Sequence, residues 1–291
     1  MTLQAYISDA LSGLALPSPP WRRIGGGVWG IVFDLGDKTA LKLVKHRGGI
    51  GSGAAIHEGE TRALSLLGGL GGRVRTAKPV ASGTFDPDTE GLADFCGWIR
   101  MAYLPGTPVA DLMVQARGSE TREELMRRTG EVAAQFHAAS APLAPSQPSL
   151  PAISQQRLLE IADIVGDMRQ ACSEVADILS AGPQHSFLHG DINGGNVLLE
   201  ADAAGLVDLG EVQSGPIEIE LRHARDLGGP AEAMLRGYCT EAETDLDTDR
   251  LAAAFCLNAL GTLAIAMLGT VSGLDPVAAR VRAHEALSAL S

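Results

Sequence analysis

The 291-residue chain predicts an α+β fold in two lobes, an antiparallel β-sheet lobe over residues 1–104 and a mainly helical lobe over residues 105–291. Three observations carry this. Short apolar strands and a glycine-rich turn crowd the first third. Helical apolar periodicity and capping signals fill the rest. Between them, His189-Gly190-Asp191-Ile192-Asn193-Gly194-Gly195-Asn196 and Val207-Asp208-Leu209-Gly210 are flanked by Phe187-Leu188, Val197-Leu198-Leu199 and Leu206. That pattern suits a short hairpin whose loop ends carry polar groups into a cleft.

In the first lobe, Gly25-Gly26-Gly27-Val28-Trp29-Gly30-Ile31-Val32 fits G-x-G-x-x-G-x-V. The chain has 35 glycines, so context decides its meaning. Residues 31–35 read as a strand, Gly36-Asp37 as a tight turn and residues 39–44 as the returning strand. A dinucleotide fingerprint would run from a strand into a helix, so that reading fails. Glycines at 25, 27 and 30 would let the backbone approach phosphate oxygens. Trp29 is expected at the loop tip, shielding them from water.

Lys42 follows Ala40-Leu41 and precedes an apolar pair, which makes it the natural phosphate-pairing lysine; its alternative is a solvated strand position. A helix is predicted near 54–67, with Glu58 and Glu60 as competing partners for Lys42. Ala63, Leu64 and Leu67 share the face of Glu60 at i+3, i+4 and i+7, which favours Glu60. Residues 73–83 and 97–104 complete a five-strand lobe, with a turn at Asp86-Pro87-Asp88.

In the second lobe, Thr121-Arg122-Glu123-Glu124 reads as a capping box opening a helix to about Ala139. A proline-rich loop follows (Pro142, Pro145, Pro148, Pro151), then helices near 153–181, 219–237, 247–271 and 275–290. Leu251 to Leu274 lacks charge and is long enough to span a bilayer, but its Ala, Gly, Asn258 and Thr262 favour a buried helix and no membrane association.

Charge divides unevenly. Residues 1–104 hold 11 Lys+Arg against 9 Asp+Glu, a net of +2, which leaves −14 of the total −12 for residues 105–291. An acidic second lobe suits a cationic acceptor, or serves solubility alone. The balance excludes nucleic acid as a partner, since phosphate backbones need clustered Lys and Arg. The run Glu241, Glu243, Asp245, Asp247, Asp249 could meet an amine; a solvated loop and helix N-cap is the favoured reading. Four scattered cysteines show no zinc or disulfide spacing and point to a reducing cytoplasm. No signal peptide is evident. His189 reads as a structural hydrogen-bonder under the loop, and His137 as a core histidine.

Phosphoryl transfer needs one carboxylate to orient a hydroxyl, and an amide and a second carboxylate to hold Mg²⁺ on nucleotide phosphates. Asp191, Asn196 and Asp208 supply these in order. From about Arg22 to Leu227, the chain resembles the aminoglycoside phosphotransferase family, the small-molecule branch of the protein-kinase-like fold. The resemblance implies Asp191 as catalytic base, Asn196 and Asp208 as Mg²⁺ ligands, and Lys42 with Glu60 as the phosphate-binding pair. Ile99-Arg100-Met101-Ala102-Tyr103-Leu104-Pro105-Gly106 would be the hinge, with Met101, Ala102 and Tyr103 near the base of ATP, or of GTP as the alternative. The acceptor would be a small-molecule hydroxyl. Asn193, Gly195 and Glu211 depart from the family pattern, and Glu220-Leu221 stands where the family has Asp-Leu. A protein kinase is disfavoured, because no Ala-Pro-Glu segment follows Asp208 and Gly215-Pro216 comes within eight residues. A non-catalytic nucleotide-binding protein is the remaining alternative.

Overall fold

The computed structural model describes residues 1–146 and 152–290. Five antiparallel strands form the first lobe in the order β1-β2-β3-β6-β5: β1 (Arg22–Gly26), β2 (Gly30–Asp34), β3 (Thr39–Lys45), β5 (Pro79–Thr84) and β6 (Phe95–Ala102). The central β3, Thr-Ala-Leu-Lys-Leu-Val-Lys, is buried along its middle, so alternation sorts its side chains between two covered faces. Leu41 and Leu43 join Ile7, Trp21, Phe33 and Trp98 under helix α1 (Leu3–Ala10), an element the sequence did not announce. Lys42 lies between Val32 and Ile99 of the flanking strands and faces helix α2 (Gly53–Leu67).

Helix α2 starts at Ser52, whose Oγ accepts the Ala55 N–H at 3.2 Å. Its buried stripe is Ile56, His57, Glu60, Ala63, Leu64 and Leu67, so Glu60 is carried inward on an apolar face.

The stretch expected as one strand over 73–83 divides. Strand β4 (Val74–Thr76) leaves the first sheet and pairs in parallel with β10 (Ala204–Leu206), in a second sheet with β9 (Val197–Leu199) and β7 (Thr107–Pro108). Thr76 Oγ1 donates to the Leu67 carbonyl and so ties the end of β4 to the C-terminus of α2. Strand β8 (His185–Leu188) pairs with β11 (Gln213–Gly215). The antiparallel hairpin of β9 and β10 brings the loop 189–196 and Val207-Asp208 together at its open end, opposite the turn at 200–203.

Helix α3 (Val109–Gln115) precedes α4 (Ser119–Ser140), which begins two residues before the expected capping box; Gly118 stands at its N-cap without a side-chain bond. Residues 141–146 form a 3-10 turn where loop was expected, and Pro148 and Pro151 lie outside the described residues. The single helix expected over 153–181 breaks at Gly166 (φ 44°) into α5 (Ile153–Val165) and α6 (Arg169–Ser180). The helix expected over 219–237 is a 3-10 turn at Ile217–Leu221, irregular chain, and then α7 (Ala231–Ala242).

Helices α4 and α7 pack backbone to backbone. A Cβ on Gly130 would lie 2.0 Å from the Met234 carbonyl, and one on Gly237 would lie 2.1 Å from that of Arg127. Helix α8 (Thr248–Leu268) has the length and composition of a membrane span, yet half of that segment is buried in the fold. It packs against α5, α6 and α9 (Pro276–Ser288), as expected for a core helix. Asp247 caps α8 by accepting the Asp249 and Arg250 N–H groups.

Candidate active site

A cavity of about 730 Å³ lies between the sheet lobe and the helical lobe. Gly25, Gly27, Gly30, Lys42, Glu60, Met101, Tyr103, Asp191, Asn196 and Asp208, drawn from separate parts of the sequence, all line it.

Lys42 Nζ donates to Glu60 Oε2 at 2.6 Å and to Asp208 Oδ1 at 2.8 Å. Burial disfavours its charge, but the Asp208 and Glu60 carboxylates outweigh that and hold its pKa above the ordinary lysine value. Burial raises Glu60, Lys42 lowers it and Asp208 raises it again, so Glu60 is pushed up to about 7. One ammonium therefore serves two carboxylates.

Of the three loop glycines, Gly30 is required by packing: its Cβ would lie 2.4 Å from the Leu43 carbonyl. A Cβ on Gly27 would meet nothing within 4 Å, and one on Gly25 only Val32, so both stand beside open space. Trp29 lies in the loop between β1 and β2. It packs on the Val44, Ile56 and Cys96 cluster, lies beside Gly48 and Gly49, and forms part of the cavity wall. Exposure at a loop tip would have left that large apolar ring in water. Along the hinge, the Ala102 and Tyr103 N–H groups are spent on the Lys78 and Lys38 carbonyls at 2.8 and 2.9 Å. The Leu104 N–H, one residue on, has no protein acceptor among the described residues, and Leu104 lines the cavity.

The loop 189–196 is tied from below. His189 Nε2 meets the Val207 carbonyl at 3.0 Å, its Nδ1 accepts the Asp191 N–H at 3.3 Å, and its ring is buried. Glu220, fully buried, accepts the His189 and Gly190 N–H groups at 2.6 and 2.9 Å and also meets His137 Nε2 at 2.9 Å. His137 in turn contacts the Tyr238 hydroxyl at 2.8 Å.

Asp191 is held on both oxygens. Asn193 Nδ2 and Asn196 Nδ2 donate to Oδ2 at 2.9 and 2.8 Å. On the other side, His223 Nε2 lies 2.9 Å and Arg222 3.6 Å from Oδ1. Burial pushes the carboxyl up, but His223, Arg222 and Asn193 outweigh it and hold it far below the usual range.

Asp208 takes a left-handed backbone conformation, φ 62°, a strained state for a residue with a side chain. The Val207 N–H donates to the Asn196 carbonyl at 3.1 Å, so Asn196 and Asp208 are positioned together.

Residues 33–255 match the sequence model of the phosphotransferase enzyme family, more than half of the chain. The chain belongs to that family. No curated protein matches it in sequence. Among solved structures, the phosphotransferase is similar to the GDP complex of aminoglycoside 2'-phosphotransferase-IIIa, with TM-score 0.69 and 12% identity over 98% of both chains. A choline/ethanolamine kinase family protein from Mesorhizobium loti has TM-score 0.62 and 17% identity over 99% of this chain and 93% of that one. The streptomycin–ATP ternary complex of APH(2")-IIa has TM-score 0.59 and 12% identity over 99% and 97%. At these identities the likeness shows the fold, the protein-kinase-like α+β arrangement.

In this phosphotransferase the residues fit a Mg²⁺ ion. Asn196 spends its Nδ2 on Asp191, which leaves Oδ1 as the free end, and Lys42 occupies only one oxygen of Asp208. The described residues contain no group of three or more His, Cys, Asp or Glu able to hold a metal. Mg²⁺ characteristically takes one or two protein oxygens and completes its shell with phosphates and water.

Sequence reading missed Arg222 and His223. Arg222 pairs to the Gly190 carbonyl and, at 2.9 Å, to Glu211 Oε2, while Arg157 of α5 pairs to Glu211 Oε1. Their proximity to Glu220-Leu221 was the available signal. Asn193, noted only as a departure, proves to orient Asp191. The acidic run 241–249 is absent from the cavity wall: Glu241 meets Gln135, and Asp247 caps α8. The solvated-loop and N-cap reading fits these places.

Proposed function

We propose that this phosphotransferase moves the γ-phosphoryl group of ATP, with Mg²⁺, to a hydroxyl of a small molecule. The observation that supports this best is the convergence of Lys42, Glu60, Asp191, Asn196 and Asp208 on one cavity. ATP lies under the glycine loop with its base toward Leu104, and Lys42 meets its phosphates. Asn196 Oδ1 and the free oxygen of Asp208 would hold the metal, which would supply positive charge beside the phosphate oxygens. Asp191 Oδ1 accepts the proton of the acceptor hydroxyl and aims its oxygen at the γ-phosphorus. Asn193 and Asn196 keep that carboxylate from turning.

Two things support a small acceptor carrying an amine. The structural neighbours' names include streptomycin and choline/ethanolamine. Asp111, exposed on the cavity wall, is a carboxylate without an ion pair among the described residues. The test is ADP release from Mg-ATP across aminoglycosides, amino alcohols and sugars, with Asp191→Asn as control. Acceptor-dependent release lost in the variant supports the reading; release undiminished in the variant overturns it.

A further inference from the structure

The two oxygens of Asp191 differ in what they have left to offer. Oδ2 already accepts two amide N–H bonds, about the capacity of one carboxylate oxygen. Oδ1 has Arg222 at 3.6 Å, too far for a hydrogen bond, and His223 Nε2 at 2.9 Å. Arg222 cannot swing closer, because it is anchored on Gly190 and Glu211. The incoming hydroxyl therefore docks at Oδ1, on the side where His223 stands.

His223 Nε2 is itself anomalous. It is a buried polar atom, and despite its distance to Oδ1 it makes no aligned hydrogen bond. Nε2 thus lies close to Oδ1 but out of line with it, so a ligand atom can still take its hydrogen bond. Both His223 and Asp191 line the cavity. Oxygens on adjacent carbons of a sugar or cyclitol lie about one hydrogen-bond length apart, matching the Oδ1–Nε2 separation.

We infer that His223 is a specificity-determining residue that hydrogen-bonds the hydroxyl on the carbon next to the one being phosphorylated. This rests on the reading of Asp191 as the proton acceptor. A hydroxyl suits the position because it donates or accepts, as either imidazole tautomer requires. The wall beyond agrees: Ser154 of α5 and Asn258 and Thr262 of α8 are neutral polar groups set among Ile161, Leu257 and Ile265. Glu211, the carboxylate beside them, already carries two arginines. The acceptor class is thus a polyol with vicinal hydroxyls, such as a sugar or cyclitol ring, rather than an isolated alcohol.

The test measures kcat and KM for ADP release with glucose, myo-inositol, kanamycin and choline, using the whole protein and its His223→Phe, His223→Asn and Asp191→Asn variants. Thermal shift by Mg-ATP checks that each variant is folded. The inference expects turnover with a polyol and none with choline. It also expects KM for that polyol to rise about 10- to 100-fold in His223→Phe, the loss of one buried hydrogen bond, with partial recovery in His223→Asn. Choline turned over as well as the polyols, KM unchanged in His223→Phe, or no turnover with any of the four would overturn it. Full turnover in Asp191→Asn would instead overturn the underlying reading of Asp191.

Discussion

Glu220 accepts the His189 backbone N–H at 2.6 Å and the neighbouring Gly190 N–H at 2.9 Å, so one buried carboxylate clamps the loop that carries Asp191. The clamp reaches from the 3-10 turn Ile217–Leu221 to the start of the loop 189–196. It converts a glycine-rich turn, with Gly190 at φ 79°, into a fixed platform. Replacing Glu220 with Ala orphans both N–H groups and His137, and should cost about 3–5 kcal/mol of stability in chemical denaturation. Glu220→Gln keeps one acceptor oxygen and should lose less.

The same residue sets an acid dependence. Burial pushes Glu220 up, but His137, His189 and the His189 N–H outweigh it and hold its carboxyl below the ordinary 4.5. Its stabilising contribution is therefore fully present above pH 4.5 and is lost as pH falls through the lower folded value. The stability gap between the native protein and Glu220→Gln should narrow below that point. A gap constant with pH would show that the Glu220 charge contributes nothing.

Lys42 bridges Glu60 and Asp208 on the cavity wall, so the proposed phosphate contact and a structural ion pair fall on one ammonium. Lys42→Met should weaken Mg-ATP binding about 10- to 100-fold, the scale of a lost charge-assisted hydrogen bond, as read by calorimetry. Unaltered affinity would remove Lys42 from the nucleotide site.

Helices α4 and α7 have no room for a side chain where they touch. Gly130→Ala should destabilise the protein by about 1–3 kcal/mol, because its Cβ meets backbone rather than a flexible side chain. Equilibrium unfolding gives the value directly.

Much of the site was legible in the chain because spacing and local pattern share a cause. Lys42 is central in a strand whose alternation separates it from Leu41 and Leu43, and Glu60 rides the apolar stripe of α2. Both follow from periodicity. What stayed hidden depends on long-range contact. Val74–Thr76 reads as part of one strand until β10 is there to take it. Arg222 and His223 sit in irregular chain with no period to mark them, and only folding brings them to Asp191. Ser119 begins α4 without the cap that Thr121 seemed to offer.

The central claim is phosphoryl transfer through Asp191. Phosphorus NMR of Mg-ATP incubated with the polyol and amine panel tests it most directly, by comparing the native protein with Asp191→Asn. The account predicts a new phosphate monoester on an acceptor with the native protein, formed about 10²- to 10⁴-fold more slowly by the variant, the usual scale for a lost general base. Monoester formed at equal rates by both proteins would contradict it.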